Sequence, residues 1–461
     1  MGTIDTGTEQ RGLGASRKLA AHVASLTYER LPSRVVHAFK RALLDYLTCA
    51  VAGSRQDESR LLLEYFMEWD KSGEAAVIGS KARLACPNAA FVNGTSTHSL
   101  DFDDGLTRGS VHPAGFVFPA LLAIAEKIGA SAQELIVAGV AAYDVALRIA
   151  SAMHPTSQFR GYHNTPTAGV FGAAAGVSRL FNLDAGATLN ALGLAGSFAA
   201  GLREYVEEGA QVKRIHPGKA ARDGITCAEF ARRGLTGPST VLEGRHGFFQ
   251  VAVDGVVDWD FLLSGLGQRF EITNVYFKPY PACRHFHAAL DAVRELRTRE
   301  GVTLDSIASV DIGMYALGVR GHDHRHAYNL LDAQMSAPVS TALALVYGDV
   351  TATTYDRANL ETPEVRRLTD ATNVHIDPEC DRIYPGRRGG VARLTLKNGA
   401  TLEKRVLDPK GEGENQMTDE DLAHKLRSNC EPIIGKARCD ELLEAVWQLE
   451  RANDLRTFFM W

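Results

Sequence analysis

The sequence lacks the cysteine patterns that mark metal-binding and disulfide-stabilised proteins. It has seven cysteines, an odd number, and no two of them form a C-x-x-C pair. This spacing excludes the common zinc and iron–sulfur motifs and gives no disulfide framework. The cysteines are Cys49, Cys86, Cys227, Cys283, Cys380, Cys430 and Cys439. We therefore expect a reducing, cytoplasmic compartment, and the polar N-terminal stretch MGTIDTGTEQRG has no apolar signal core.

Concentrated positive charge and long apolar runs are also absent. The net charge of the 461 residues is −5 at pH 7, with Lys and Arg scattered. This argues against nucleic acid as a partner, because phosphate neutralisation needs a basic face. The longest apolar stretches, 115–129 and 186–202, fall short of about twenty clean residues or contain Asn and Ser. We predict no membrane span and no membrane partner.

The composition is that of a globular protein with a large core, since 45% of the residues are hydrophobic and 23% are charged. Apolar residues recur at helical spacing through the first 270 residues or so. We predict helices over 31–54, 88–100, 115–129, 132–153, 167–181 and 187–206. The last two are rich in Gly and Ala, which weaken an isolated helix but let helices approach closely.

The pattern changes near residue 300. An alternating stretch at 307–317 predicts a strand, and 391–407 predicts a hairpin with Asn398-Gly399 at its turn. Further elements are predicted as a strand at 373–377 and helices at 336–348, 362–371, 418–430 and 437–452. The fold class is therefore mainly α. We predict a large helical domain over 1–272, to which 415–461 return, and a smaller α+β domain over 273–414.

The most acidic stretch, HSLDFDDG at 98–105, has three interpretations. An EF-hand is excluded, because the loop position that needs Gly is Leu106 and the position that needs Glu is His112. A zinc site from His98, Asp101 and His112 has no recognised spacing. Such a metal site is nevertheless possible, and the other two interpretations are an acid–base site and a solvated turn between helices.

Two further stretches carry ionisable residues next to predicted helices. His163 comes just before a small-residue helix, whose positive N-terminal end favours a neutral imidazole that can act as a general base; the alternative is a capping or core histidine. QVKRIHPGKAARDG at 211–224 has cations around a Pro-Gly pair, which we interpret as a turn that starts a helix and binds carboxylate or phosphate. The alternative is an exposed basic helix face. These cations are Lys213, Arg214, Lys219 and Arg222, with His216 among them.

The last two stretches lie in the second half of the chain. YFKPYPACRHFHAAL at 276–290 places Lys278, Tyr280, Arg284, His285 and His287 near the expected domain junction, where ligand sites are favoured. Cys283 has no sign of activation and is interpreted as a packed residue. HDHRH at 322–326 is interpreted as a polar surface loop, and as a transition-metal site only if the histidines share one face of a strand.

Together these stretches resemble the MmgE/PrpD family, which contains 2-methylcitrate dehydratases, cis-aconitate decarboxylases and an iminodisuccinate epimerase. The similar stretches, in the family order, are AAFVNGTSTHSLDFDDG, VHPAG, GYHNTPTAGVFGAAAG, QVKRIHPGKAARDG and YFKPYPACRHFHAALDA. Gly105 and Arg214 depart from the pattern, which has Thr and Pro there. These departures leave the substrate open.

The resemblance implies a homodimer of two-domain subunits, with a pocket between a helical domain and an α+β lid. It implies action on small polycarboxylates without metal or organic cofactor. His163 and His112 would then be acid and base, and Asp101 would orient an imidazole. Carboxylates would be bound by Lys213 and Lys278, with Arg214, Arg284 and Tyr280 as further contacts.

The predicted function is a cofactor-independent lyase, most simply a dehydratase of the 2-methylcitrate type. Decarboxylation and epimerisation are the alternatives within the family. A metal hydrolase and a non-catalytic family member are alternatives of a different class.

Overall fold

The protein is described by a computed structural model covering residues 12–384 and 386–456. Two parts of the earlier predictions lie outside the described residues. They are the polar N-terminal stretch up to residue 11 and the last residues of the segment 415–461, namely 457–461. The structure is 60% helical, with few strands in small sheets, so the predicted mainly α, two-domain class is confirmed. The chain forms two compact units. The first contains the residues up to Ser99, Asp103–Val275 and the residues from Cys430 on, and the second contains Leu100–Phe102 and Tyr276–Asn429.

The first unit is built almost entirely of helices. Its helices are α1 (Ala15–Ser25), α2 (Ser33–Gly53), α3 (Asp57–Trp69), α4 (Cys86–His98), α5 (Ala114–Ile128), α6 (Ala132–Met153), α7 (Thr156–Phe159), α8 (Asn164–Leu180), α9 (Ala185–Phe198), α10 (Tyr205–Glu208), α11 (Val212–Arg232), α12 (Phe248–Val253) and α13 (Trp259–Leu263). A small antiparallel pair, β1 (Ala75–Ala76) and β2 (Arg83–Leu84), completes it.

The longest core helix, α6, begins at a capping box in which Ser131 and Glu134 each bind the other's backbone N–H. Its length and apolar composition would suffice to cross a membrane, but it is fully buried in the structure. The core helix of a globular unit meets the same criteria, so α6 gives only weak evidence for a span.

The predicted close packing of the small-residue helices is confirmed for α8. A Cβ added to Gly172 would lie 2.6 Å from the Cβ of Ala146 in α6, so only glycine permits this approach. The prediction of one helix over 187–206 is wrong at its end, because α9 stops at Phe198. The chain leaves the helix there so that the Gly201 carbonyl accepts the backbone N–H of His163 at 3.0 Å.

The second unit combines a sheet with helices. Its helices are α14 (His287–Arg297), α15 (Ala316–Val319), α16 (Leu330–Met335), α17 (Ala337–Tyr347), α18 (Arg357–Leu360), α19 (Pro363–Asp370) and α20 (Pro378–Ile383), and its strands are β3 (Ile307–Met314), β4 (Thr372–Ile376), β5 (Gly390–Leu396) and β6 (Thr401–Val406). The strand order is β4-β3-β5-β6, with β3 parallel to β4 and antiparallel to β5. Helices α21 (Asp419–Ile434) and α22 (Lys436–Trp447) follow.

The predicted hairpin is confirmed as β5 and β6, with Gly399 at φ 87° in its turn. The strand predicted at 307–317 ends at Met314, because Tyr315 precedes the short helix α15. Apolar side chains of α14, such as Leu290 and Val293, pack with Ile312 and Leu394 of the sheet to form the core of this unit.

Candidate active site

Four imidazoles lie together in the first unit, contributed by four separate parts of the helical fold; three are buried and His112 is half-buried. His98 ends α4, His112 lies just before α5, His163 caps α8 and His216 lies in α11. The ring centroid of His98 is 5.0 Å from that of His112 and 6.2 Å from that of His163. The ring centroids of His163 and His216 are 5.2 Å apart. An apolar core gives no reason to gather four imidazoles, so we take this group, the histidine cluster, as the candidate active site.

Asp103 fixes the orientation of His98. His98 Nδ1 lies 3.0 Å from both carboxylate oxygens of Asp103, and both side chains are fully buried. An ionised carboxylate only accepts hydrogen bonds, so this contact holds the proton on Nδ1 and leaves a lone pair on Nε2. Among the described residues, His98 Nε2 has no hydrogen-bond partner although it is buried. Such an atom is available to a bound molecule.

The next aspartate, Asp104, holds His112 through its backbone. Its carbonyl oxygen is 2.8 Å from His112 Nδ1, so that nitrogen donates the hydrogen bond. The Asp104 carboxyl accepts from the Tyr143 hydroxyl at 2.8 Å and from the Ala114 amide at 2.9 Å. Burial raises the pKa of Asp104 well above its ordinary value, and Asp45 adds to this. Asp104 thus braces the loop that carries His112.

His163 and His216 form a hydrogen-bonded pair, with 2.9 Å between their Nδ1 atoms. Burial lowers the pKa of His163 well below its ordinary value, and the charges of its neighbours, His216 first, lower it further. Burial likewise lowers the pKa of His216 to about 4, with smaller effects from His98 and two lysines. Both imidazoles are therefore neutral near pH 7, and a neutral imidazole is a competent general base.

Lys213 supplies positive charge to the histidine cluster. It is buried in the first turn of α11, and its charge contributes to lowering the pKa of His163 and of His216. Lys213 and His216 are three residues apart, a spacing that places both on one face of a helix.

The predicted Pro-Gly turn at the start of this helix is wrong. Pro217 and Gly218 lie inside α11, which begins at Val212. The pair marks a helix crossing, because a Cβ on Gly218 would lie 2.2 Å from the carbonyl oxygen of Phe91 in α4. The predicted carboxylate contact Arg214 is buried in an ion pair with Glu58. Lys219 is bound by Asp223 at 2.8 Å, whereas the charge of Lys213 acts on both His163 and His216.

The aspartate that orients His98 is Asp103, whereas the expectation that Asp101 orients an imidazole stays a prediction. Asp101 belongs to the second unit, where its Oδ1 is 3.1 Å from Lys278 Nζ and its carbonyl accepts from the same nitrogen at 2.7 Å. The cause is local, since Asp101 has a left-handed backbone with φ 49°. That turn changes the direction of the chain between His98 and Asp103.

The remaining predicted carboxylate contacts have protein partners within the second unit. The Tyr280 hydroxyl donates to Asp291 at 2.6 Å and accepts from Arg294 at 2.8 Å. Arg284 is 3.2 Å from Glu412 and donates to the Lys410 carbonyl at 3.0 Å. Their role in binding substrate stays a prediction.

The histidines of HDHRH do not share a strand face, since they lie in a loop. His326 is exposed, whereas His322 is 3.6 Å from the sulfur of buried Cys283. In the first unit, His98, Asp103 and His112 have ligand atoms within 4.8 Å of one another. A zinc site there would therefore use Asp103 in place of the Asp101 considered from the sequence.

The fold and the histidine cluster together define a mainly helical, two-domain protein with a buried ionisable site. The chain belongs to the MmgE/PrpD family: the model of the N-terminal domain matches residues 17–259 and that of the C-terminal domain matches residues 280–449. The family assignment made from the motifs is confirmed.

Curated relatives match along nearly the whole chain. A cis-aconitate decarboxylase-like protein of Aspergillus oryzae is 28% identical over 462 residues, which cover 95% of each chain. The cis-aconitate decarboxylase of Aspergillus terreus is 25% identical over 471 residues, 96% of this chain and 94% of its own. The human cis-aconitate decarboxylase is 25% identical over 464 residues, 95% of this chain and 92% of its own. Membership in this family supports a lyase-type function.

Proposed function

We propose that this protein is a lyase that moves a proton at a carbon next to a carboxylate of a small polycarboxylate. The observation that carries the proposal is the histidine cluster, in which three buried imidazoles and the half-buried His112 lie with the buried cation Lys213. Buried charges and imidazoles cost free energy unless they are used or paired. Their collection in one place is typical of acid–base catalysis.

Each member has a chemical task in this proposal. Lys213 binds a substrate carboxylate and stabilises the negative charge that develops beside it. In dehydration and epimerisation His163, held neutral by burial, takes a proton from carbon. In decarboxylation, which removes no proton from carbon, it passes a proton from water to the substrate. His112, with its Nδ1 bound to the Asp104 carbonyl, exchanges the second proton through Nε2. His98, oriented by Asp103, offers the lone pair on its Nε2 as a hydrogen-bond acceptor to the bound substrate.

Decarboxylation is the reaction we propose first, because the curated relatives are named for cis-aconitate decarboxylation. The bond to one carboxyl carbon breaks and CO2 leaves. The electron pair stays on the substrate, delocalised next to a second carboxylate, and a histidine delivers the proton that completes the product. The reaction consumes one proton and needs no oxidant or reductant.

Dehydration of a 2-methylcitrate-type substrate, expected from the sequence, uses the same groups in another order. A base removes the proton next to the carboxylate, and an acid protonates the departing hydroxyl group. Epimerisation would return the proton to the opposite face. We further propose a cytoplasmic homodimer whose turnover needs no metal or organic cofactor, so activity should survive exhaustive chelation.

Proton NMR of chelator-treated protein with a substrate panel tests the proposal. The panel is cis-aconitate, 2-methylcitrate, citrate and iminodisuccinate, and CO2 release is followed in parallel. We expect one member to be converted, with CO2 if decarboxylation is correct. Conversion of 2-methylcitrate without CO2 would replace decarboxylation by dehydration. If correctly folded wild-type protein converts no member of the panel, the proposed substrate class is contradicted.

A further inference from the structure

The second unit contains a group of metal-ligand side chains outside the histidine cluster. Cys283 and His285 lie just before α14, and His322 lies in the loop after α15. One ligand atom from each lies within 4.8 Å of the others. Cys283 is buried and the two histidines are half-buried. The proposed lyase chemistry uses none of these three residues.

Hydrogen bonds to neighbouring residues fix the orientation of the two imidazoles in this group. His322 Nδ1 lies 2.8 Å from the Met335 carbonyl, which fixes the proton on Nδ1 and turns Nε2 towards Cys283. His285 Nδ1 lies 2.6 Å from the Tyr315 hydroxyl. Histidines that bind metals usually have their second ring nitrogen bound in this way, to a carbonyl or a similar group. The Cys283 backbone is fixed as well, since its N–H donates to the Gln334 carbonyl at 2.9 Å.

The distance between Cys283 Sγ and His322 Nε2 fits a tetrahedral ion. Zinc–sulfur and zinc–imidazole bonds of about 2.3 and about 2.0–2.1 Å, at a tetrahedral angle, separate sulfur and nitrogen by about 3.6 Å. Cys283 Sγ and His322 Nε2 are 3.6 Å apart. A thiolate with two imidazoles is a donor set that zinc and similar borderline-soft transition metals prefer.

We propose that Cys283, His285 and His322 bind one zinc-like divalent cation, with the fourth coordination position left to water or a small ligand. Metal binding requires the thiolate form of cysteine. The main competing explanation is a thiolate–imidazolium pair that binds no metal.

Metal titration of the full-length, chelator-treated protein tests the site. Zn²⁺ is followed by calorimetry and Co²⁺ by its sulfur-to-metal absorption band, which reports a cysteine ligand directly. We expect one equivalent to bind tightly, with affinity lowered at least about 100-fold in Cys283→Ser and in His322→Gln, because each removes one of three ligands. These measurements do not depend on enzymatic turnover.

Matched controls are present in the same chain. Cys227→Ser removes a buried thiol of the first unit, and His326→Gln removes an exposed imidazole of the same loop; both should bind the metal as wild type does. If Cys283→Ser does not fold, His285→Gln tests the same site at a half-buried position.

Three results would overturn the metal site. The first is the absence of stoichiometric binding. The second is binding that survives Cys283→Ser but is lost in His112→Gln, which would assign the ion to the first unit. The third is alkylation of Cys283 that saturating Zn²⁺ or Co²⁺ does not slow, which would show that the thiol does not bind the ion.

Discussion

Replacing Asp103 with asparagine removes one charge from the candidate active site and keeps the shape of the side chain. In the native protein both carboxylate oxygens lie 3.0 Å from His98 Nδ1 in a fully buried setting. The carboxylate can only accept a hydrogen bond, so it selects the tautomer with a lone pair on Nε2. An amide can donate as well as accept, and Asp103→Asn therefore loses this selection.

The size of the effect follows from the hydrogen bond. A bond to a charged group contributes about 1.5–3 kcal/mol, against about 0.5–1.5 kcal/mol for a neutral pair. The loss of about 1–1.5 kcal/mol corresponds to roughly a tenfold change in an equilibrium or a rate. We expect kcat to fall at least about tenfold in Asp103→Asn, with a smaller change in KM, because the substrate carboxylate is bound by Lys213.

Two measurements check this prediction. Steady-state kinetics give kcat and KM for the converted substrate, and NMR of ¹⁵N-labelled histidine reports the tautomer of His98. The exposed Asp258→Asn serves as the matched control. Since Asp103 acts through His98, the double variant Asp103→Asn/His98→Gln should be no slower than His98→Gln alone. An unchanged kcat with an unchanged tautomer, or additive losses in the double variant, would refute the proposed role of Asp103.

Three further predictions follow from single contacts. Lys213→Met should raise KM at least about tenfold through loss of a carboxylate partner, whereas unchanged kinetics would move the anion site elsewhere. Gly218→Val should lower the free energy of unfolding by about 1–3 kcal/mol or more in urea titrations, because a Cβ would lie 2.2 Å from the Phe91 carbonyl; native stability would contradict the tight crossing. Folding lowers the pKa of His216 to about 4, so the unfolded chain binds this proton more readily and stability should fall as pH drops from about 6.5 towards 4, by about 1.4 kcal/mol per unit at most. His216→Gln should flatten that slope, and an equal slope in both proteins would exclude His216 as its source.

Much of the fold could be predicted because apolar periodicity is a local property. Helix α6 was predicted at the bounds the structure gives, and the β5–β6 hairpin was fixed by Asn398-Gly399. The end of α9 could not be predicted in this way. It depends on the bond between the Gly201 carbonyl and the His163 amide, 38 residues apart in the chain.

The candidate site was predicted in part, for a physical reason. His112, His163 and Lys213 lie within recognisable motifs, and the structure places them in one part of the first unit; their catalytic roles stay predictions. The roles of Asp101 and Asp103 were not separable from the sequence, since one left-handed residue decides which of them contacts a histidine.

Two further features could not be predicted, for the same kind of reason. Arg214 pairs with Glu58, a partner 156 residues away. Pro217-Gly218 is typical of a turn in sequence, yet the crossing of α4 and α11 requires it inside a helix. His98 and His216 lay within the quoted stretches, and the spacing of Lys213 and His216 on one helix face was the available signal.

The most direct test of the central claim is deuterium incorporation during turnover in D2O. Wild type and His246→Ala, which removes an exposed imidazole of the same unit, should each give product with deuterium on the carbon next to a carboxylate. His163→Ala should give neither product nor deuterium while keeping the native circular dichroism spectrum. Normal turnover and labelling by His163→Ala would contradict the claim that the histidine cluster carries the proton transfer.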